Sequence, residues 1–471
     1  MSDRPGTTGN PLRVAIVGSG PAGFYAAEHL LRQDQAVVEV DVFDRLPTPF
    51  GLVRAGVAPD HPKIKSVIRV YEKTAARDGF RFFGNLEVGR HVSALELGER
   101  YHAMIYAYGS PTDRRLEIPG EDLEGSHPAT AFVAWYNAHP DFSEQDFDLS
   151  CERAVVIGNG NVATDLARML ALTREELEAT DTAEHAIDVL ASSKVREILV
   201  LGRRGPAQAA FTNPELRELG EMKDADVDVD QAEVELDDMS RAYLDSDEAD
   251  ITTRKNVEIF TEFSQRQPEG KRRRIVLRFL RSPLEIQGDG KVERLIVARN
   301  ELYRDGSGAI RARDSGERET VECGLIFRSI GYKGTGLDGI PFDERSGVIP
   351  NQGGRVSEAG SDRPLDGHYA VGWIKRGPSG VIGTNKKDAQ ETVDNLLADL
   401  QAGRLESEAA DPAAVESWLA ERAPEHVVYS GWEAIDRAER ERGKPLGRPR
   451  VKFVRVEEML EAARSGHPVA S

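Results

Sequence analysis

Two glycine-rich turns stand about 140 residues apart, V-G-S-G-P-A-G from Val17 to Gly23 and I-G-N-G-N-V-A from Ile157 to Ala163. Gly18, Gly20 and Gly23 fit the spacing G-x-G-x-x-G, and Gly158, Gly160 and Ala163 fit G-x-G-x-x-A. In such a turn the first glycine permits a tight bend, the second lets backbone approach a pyrophosphate, and the third lets helix and strand pack closely. The pyrophosphate then sits on a helix N-terminus, where N–H groups and the helix dipole favour negative charge. The residue that ends the next strand decides which adenine nucleotide fits. After the first turn it is Asp44, 21 residues beyond Gly23, an acid that accepts from ribose hydroxyls and repels a 2′-phosphate, as FAD or NAD requires. After the second turn Arg203 and Arg204 stand there instead. Paired guanidinium forks suit a phosphate and select NADP over NAD. Two such turns imply two nucleotides, with FAD held in the first, NADP(H) exchanging in the second, and hydride passing from nicotinamide to flavin.

The elements that must position these residues are legible from periodicity. Arg13–Val17 reads as a short buried strand, Pro21 to about Arg32 as the helix after it, and Val37–Phe43 as the next strand. Tyr101–Tyr108 reads as a strand ending at Gly109, followed by a Pro/Gly-rich connector from Pro111 to Gly125. The second unit begins near Arg153, carries an extra helical stretch at 171–193, and has a strand at Glu197–Leu201 running into G-R-R-G-P. Another strand ends in glycine at Leu325–Gly331; Tyr369–Ile382 reads as strand, turn and glycine-rich loop, with a helix from about Lys386 to Leu400 and helical pattern beyond. Glu221–Asp250 is strongly acidic and reads as a solvated face. Lys271–Arg274 reverses the sign.

Composition bounds the class. A chain of 471 residues is too long for one core, and 30% charged with 39% hydrophobic residues suits a globular protein of two domains. A formal net charge of −19 disfavours nucleic acid and anionic membrane as partners. The first ten residues hold no apolar segment of a secretory signal, and no apolar run approaches the ~18 residues of a membrane span, so a cytoplasmic location is expected. Cys151 and Cys323 are the only cysteines. They form no C-x-x-C pair and no iron–sulfur ligand set, and no metal site is expected.

The segments G-S-G-P-A-G-F-Y-A-A from Gly18, P-T-P-F-G-L-V-R-A-G-V-A-P-D-H-P from Pro47, V-I-G-N-G-N-V-A-T-D from Val156, G-R-R-G-P from Gly202 and V-G-W-I-K-R-G-P-S-G-V-I from Val371 occur together and span residues 14–390. In this combination the chain resembles the adrenodoxin reductase-like ferredoxin–NADP+ reductases, most closely their mycobacterial and actinobacterial members. The resemblance implies an α/β fold of two Rossmann-like dinucleotide-binding domains of the glutathione reductase-like kind. Residues 1–112 and 331–471 would form the FAD-binding domain, with an NADP-binding domain, 113–330, inserted. It places Ala22, Asp44, Leu52, Val88, Trp373 and Gly380–Ile382 (Gly380, Val381, Ile382) around FAD. It places Arg114, Asn159, Gly160, Asn161, Val162, Arg203, Arg204, Glu215 and Gly380 around NADP. His61, Asp165 and Glu218 match polar positions near the nicotinamide–flavin junction. Asp44 departs from the family's usual glutamate. Gly372-Trp373 stand where disulfide reductases carry an aspartate, which argues against that activity.

The junction residues carry the chemistry. The helix after Ile382 is expected to aim its N-terminus, with the backbone N–H groups of Val381 and Ile382, at the negative charge of a reduced flavin. His61 is a candidate proton relay oriented by Asp165 or Glu218; equally, a histidine before Pro62 caps a helix, and Asp165 can brace its own. A flavin takes two electrons together and releases them singly, so a ferredoxin-type iron–sulfur protein is the natural acceptor. Lys271–Arg274 with Arg278 is the candidate docking face, against a solvated β-turn. A flavin monooxygenase, a glutamate-synthase-type electron-input unit, and a noncatalytic NADP(H)-sensing protein are the competing readings.

Overall fold

The computed structural model describes residues 4–406 and 408–465; the first three residues of the N-terminal stretch and the last six of the chain lie outside it. Contacts divide the chain into two units, one of residues 1–57, 61–112 and 331–471, the other of residues 58–60 and 113–330. The chain thus leaves the first unit and returns to it, and the second is an insertion.

The first unit is built on a seven-stranded sheet. Its central strands, in spatial order Pro364–Ala370, Ala103–Tyr106, Leu12–Val17, Val38–Phe43 and Phe80–Phe83, run parallel. A short antiparallel pair, Asn351–Gln352 and Arg355–Ser357, finishes one edge. Leu12–Val17 is buried along nearly its whole length because helices cover both faces of the sheet. Pro21–Arg32 follows it directly, with proline in the first turn. The Thr384–Gln401 helix packs against Pro21–Arg32, contributing Ala389, Val393, Leu396 and Leu397 to one apolar cluster with Phe24, Phe50 and Tyr71. The end of the chain is helical, at Pro412–Arg422, Tyr429–Gly443 and Val456–Ser465.

The second unit repeats the theme. Six parallel strands run in the order Ser126–Pro128, Leu325–Arg328, Arg153–Ile157, Glu197–Leu201, Arg273–Arg278, Ala225–Asp228. The Asn161–Ala171 helix follows its glycine turn. A three-stranded antiparallel sheet, Arg281–Gln287, Arg294–Arg304 and Ile310–Glu322, is added to it. Two sequence expectations need correction here. The acidic stretch is not only a solvated face, because Ala225–Asp228 within it forms the sheet edge. Lys271–Arg274 is not a turn: Arg273 opens an interior strand of the sheet.

Candidate functional site

In the first unit the three glycines of the turn meet different surroundings. A Cβ on Gly18, whose φ is +111°, would lie 2.6 Å from the Ala107 carbonyl, and one on Gly23 would lie 2.1 Å from the Gly18 carbonyl oxygen. Both positions are closed to a side chain by the protein itself. A Cβ on Gly20 would meet only the Gly51 Cα, at 4.0 Å. Its bare backbone therefore faces space that the protein does not fill, as a pyrophosphate cradle requires.

Asp44 ends the second strand beside this turn. Its Oδ2 accepts from the Ser19 amide at 3.1 Å and from the Ser19 hydroxyl, and its Oδ1 accepts from the Leu46 amide at 3.0 Å. The carboxylate braces the glycine turn before it touches any ligand, and acceptor capacity for a ribose hydroxyl is left chiefly on Oδ1. Burial raises its pKa against the opposing hydrogen bonds from Ser19 and Leu46; a hydroxyl donated by a ribose would favour the ionised form. The segment after Phe50 closes over the same turn. The Phe50 amide donates to Ser19 O at 3.0 Å, and a Cβ on Gly51, at φ +47°, would come within 2.9 Å of the Gly20 Cα. Leu52, at 44% exposure, opens the short Leu52–Ala55 helix, while Val88 packs at the edge of the neighbouring apolar cluster.

The Val371–Ile382 segment reaches the turn from the other side. A Cβ on Gly372 would lie 2.5 Å from the Ala22 Cβ, so Gly372 lets this strand end lie on the first helix. Its amide donates to Asp388 Oδ2 at 2.5 Å. Trp373 packs against Tyr332, ring centroids 5.1 Å apart. The predicted pair of amides is narrowed to one. Val381 N–H is held by the Thr384 hydroxyl at 3.2 Å, whereas the Ile382 amide has no partner among the described residues. Gly380 leaves room for that threonine, whose Oγ1 would lie 2.6 Å from a Cβ. His61 is buried at the start of the Pro62–Lys65 helix and makes no side-chain cap to it.

The second unit differs where specificity is set. A Cβ on Gly158 would lie 2.1 Å from Ser329 O, but one on Gly160 would meet nothing within 4 Å. Asn159 Nδ2 is buried without a hydrogen-bond partner, beside Gly202. Asn161 Oδ1 accepts from the Thr212 amide at 2.9 Å, and Glu215 takes the Thr212 hydroxyl, so these two fix the loop after the arginines. Val162 stands in the first turn of the helix, and Arg114 is exposed in the connector. No carboxylate pairs with Arg203 or Arg204 among the described residues. Burial, then Arg203 and Arg311, push the Arg204 pKa down. The buried Arg168, Arg281 and Arg328 of this unit each pair with an acid, whereas two unmatched guanidiniums at a strand end fit an anion from outside the chain.

Asp165 and Glu218 sit together, with a third acid. Arg168, almost wholly buried, binds Asp60 at 2.9 Å, Asp165 at 2.9 Å and Glu218 at 3.3 Å. Sequence reading missed Arg168 because it lies on the helix face that periodicity assigns to the core. The candidate docking run is only partly free. The Arg273 side chain is buried and donates to Val195 O and Leu172 O; Arg274 pairs with Glu197 and Asp228; Lys271 donates to Met222 O at 2.9 Å; Arg278 pairs with Glu233 and Glu319. Much of the run is thus engaged by internal partners, while the Arg272 and Arg274 side chains remain 41% and 51% exposed. No helix among the described residues is long and apolar enough to cross a membrane.

Two glycine turns on parallel sheets, one backed by an acid and one by arginines, define an oxidoreductase of two Rossmann-like units. Residues 12–200 match the family described as pyridine nucleotide-disulphide oxidoreductase. The chain is 51% identical to the NADPH-ferredoxin reductase FprA of Mycobacterium leprae, over 96% of this chain and 98% of that one. It is 42% identical to the mitochondrial NADPH:adrenodoxin oxidoreductase of Salvelinus fontinalis, over 96% and 91%. The solved structure of Mycobacterium tuberculosis FprA in complex with NADPH superposes with a TM-score of 0.90 at 49% identity, covering 97% of this chain and all of that one. The chain belongs to the family of NADPH-ferredoxin and adrenodoxin reductases.

Proposed function

We propose that this protein is an FAD-dependent ferredoxin–NADP+ reductase that passes hydride from NADPH to FAD and then single electrons to a ferredoxin-type iron–sulfur protein, reversibly. The observation that carries the reading is the opposite chemistry at equivalent strand ends, a carboxylate at Asp44 and unmatched guanidiniums at Arg203 and Arg204. The reductases named above, similar along nearly their whole lengths, support it.

FAD, when bound, supplies a centre that accepts a hydride and returns electrons one at a time. The chain's own residues do the rest. In residues 1–112 and 331–471, Gly18, Gly20, Ala22 and Gly23 shape the cradle for the FAD pyrophosphate, and Asp44 fixes the ribose through Oδ1. Leu52, Val88 and Trp373 exclude water around the ring system, and the Ile382 amide, with its neighbours Gly380 and Val381, faces developing negative charge. In residues 113–330, Asn159–Val162 hold the NADP pyrophosphate, Arg203 and Arg204 bind the 2′-phosphate, and Glu215 and Arg114 border the nucleotide. Arg168 pairs with Asp165 and Glu218 and fixes their direction, which suits them to an orienting role. His61 is the proton-transferring group of the set. Two free thiols, with Cys323 pushed up to about 12 by burial, fit a reducing, cytoplasmic setting.

The test is anaerobic mixing of the yellow protein with NADPH and separately with NADH, followed by cytochrome c reduction with and without added ferredoxin. Bleaching strongly selective for NADPH, and cytochrome reduction that requires ferredoxin, are expected. Oxygen uptake coupled to oxidation of a small organic substrate would favour the monooxygenase instead.

A further inference from the structure

The C-terminal helices lie outside both glycine turns, and nothing in the reaction requires them. Yet the Leu52–Ala55 turn, which packs on Gly20 through Gly51, is pinned from beneath by residues nearly 400 positions later. Arg54 is 8% exposed, and Glu439 is fully buried. The guanidinium meets the carboxylate with both arms, Nη1 to Oε2 at 2.9 Å and Nη2 to Oε1 at 2.5 Å. It also lies over the Trp432 ring, 5.2 Å from the centroid, and Trp432 meets Phe50 edge-on. Trp432 and Glu439 are seven residues apart on the Tyr429–Gly443 helix, hence on one face two turns apart. The chain then turns back at Gly443, where a Cβ would strike the Arg450 Cα at 2.7 Å. The returning segment completes the cluster. Arg450 reaches Glu439 at 3.2 Å and Asp436 at 2.6 Å, Phe453 N donates to Glu439 Oε1 at 3.0 Å, and Lys452 Nζ donates to the Arg54 carbonyl at 3.1 Å. Burial opposes ionisation of Glu439, but Arg54 and Arg450 outweigh it and hold its pKa below the ordinary value.

A buried ion pair is a weak source of net stability, because desolvation consumes most of the attraction. What bidentate geometry supplies is register, since a fork in a closed pocket fits in one place. Here the register fixed is that of Phe50–Gly56 over the glycine turn. We propose that Glu439, through Arg54, is a positioning residue that latches the Phe50–Gly56 segment over the FAD pyrophosphate cradle and slows loss of the flavin. The proposal rests on the FAD reading above.

The test compares wild type with Glu439→Gln, which keeps shape but removes charge, Glu439→Asp, and Leu419→Ala. Leu419 lies in the Pro412–Arg422 helix, in the other apolar cluster of the same unit. Each protein is stripped of flavin for amide hydrogen exchange, and separately diluted as holoprotein to follow FAD release by the rise in flavin fluorescence. Expected for Glu439→Gln are exchange of the Val53–Val57 amides and FAD release, each faster by about 10-fold. Glu439→Asp should recover part of the loss. Leu419→Ala should lower Tm without changing either rate. A folded Glu439→Gln protein with wild-type exchange and release overturns the latch, as does an equal change in Leu419→Ala. Wild-type protein that never retains FAD would instead overturn the cofactor reading, and the exchange comparison would still decide whether Glu439 holds the segment.

Discussion

Replacing Arg204 by alanine separates binding from folding in one variant. Arg204 is half-buried, and its charge is opposed by burial, by Arg203 and by Arg311. The folded protein therefore carries a guanidinium it would hold more easily unfolded. The sign follows from the lowered pKa: the charged form is disfavoured in the fold, and this cost is fully present at every pH below the folded value, hence throughout the neutral range. Removing the side chain should leave apo stability unchanged or slightly higher. Binding moves the other way. A charge-assisted contact to phosphate is worth ~1.5–3 kcal/mol, which is about 10- to 150-fold in Kd. Arg203, being exposed, is screened more and should sit at the lower end. The assay is titration of the oxidised holoprotein with NADP+ and with NAD+ by calorimetry at low and high salt, with Tm measured on apoprotein. NADP+ affinity should fall and its salt dependence flatten, while NAD+ affinity holds. Equal weakening of both nucleotides would refute the assignment of the arginines to the 2′-phosphate. A large loss of apo stability would refute the claim that they lack internal partners.

Gly160→Ala should fold with the wild-type Tm, since its Cβ meets nothing within 4 Å, yet bind NADPH several-fold more weakly; Gly158→Ala, with a carbonyl oxygen at 2.1 Å, should lose folded protein in thermal melts. His102 and His127, one in each unit, have pKa values lowered to about 4, chiefly by burial and then by Arg13 and Arg328 respectively. A histidine with a depressed folded value stabilises above its unfolded pKa, near 6.5, and that contribution is lost as pH falls through the folded value. The unfolding free energy from urea melts should therefore drop between about pH 6.5 and 4 by on the order of 2 kcal/mol per site, and His102→Asn should flatten the part due to the first unit. Arg274→Ala should leave the KM for ferredoxin unchanged, because the side chain is already engaged by Glu197 and Asp228; a rise of tenfold would support the docking role. His61→Gln should flatten the pH profile of flavin reduction by NADPH in stopped flow, and an unchanged profile removes the relay.

The parallel sheets were readable because their leading strands enter glycine turns of fixed spacing and are almost wholly buried, which leaves an unbroken apolar run such as Val14–Val17 or Val155–Ile157. What local pattern could not reveal was the partner of each charge. Lys271–Arg274 looks cationic in one dimension, but Arg273 is buried and donates to carbonyls 78 and 101 residues earlier. Arg168 falls on a helix face that periodicity assigns to the core, and only the fold shows that it gathers Asp60, Asp165 and Glu218. The Arg281–Glu322 antiparallel sheet was missed for a related reason. Its last strand is mostly exposed and charged, so hydrophobic alternation is weak there.

Asp44 and Arg204 illustrate why a repeated fold can hold one cofactor as a resident and exchange the other. Asp44 is tied into its own turn by Ser19 and Leu46, so the cradle it borders is ordered before any ligand arrives and little freedom is lost on binding. The further clasp of Gly51 on Gly20, and of Gly372 on Ala22, adds closure from two sides of the same turn. The second turn is held in the same way, with the Ala210 amide donating to Asn159 O at 3.0 Å, but the arginines beside it lack carboxylate partners among the described residues. On the proposed reading, affinity there rests on charge–phosphate contacts near solvent, which form quickly, break readily and weaken with salt. On the proposed reading, slow release from the first cradle and faster exchange at the second follow from the opposite charge of the side chains at equivalent strand ends.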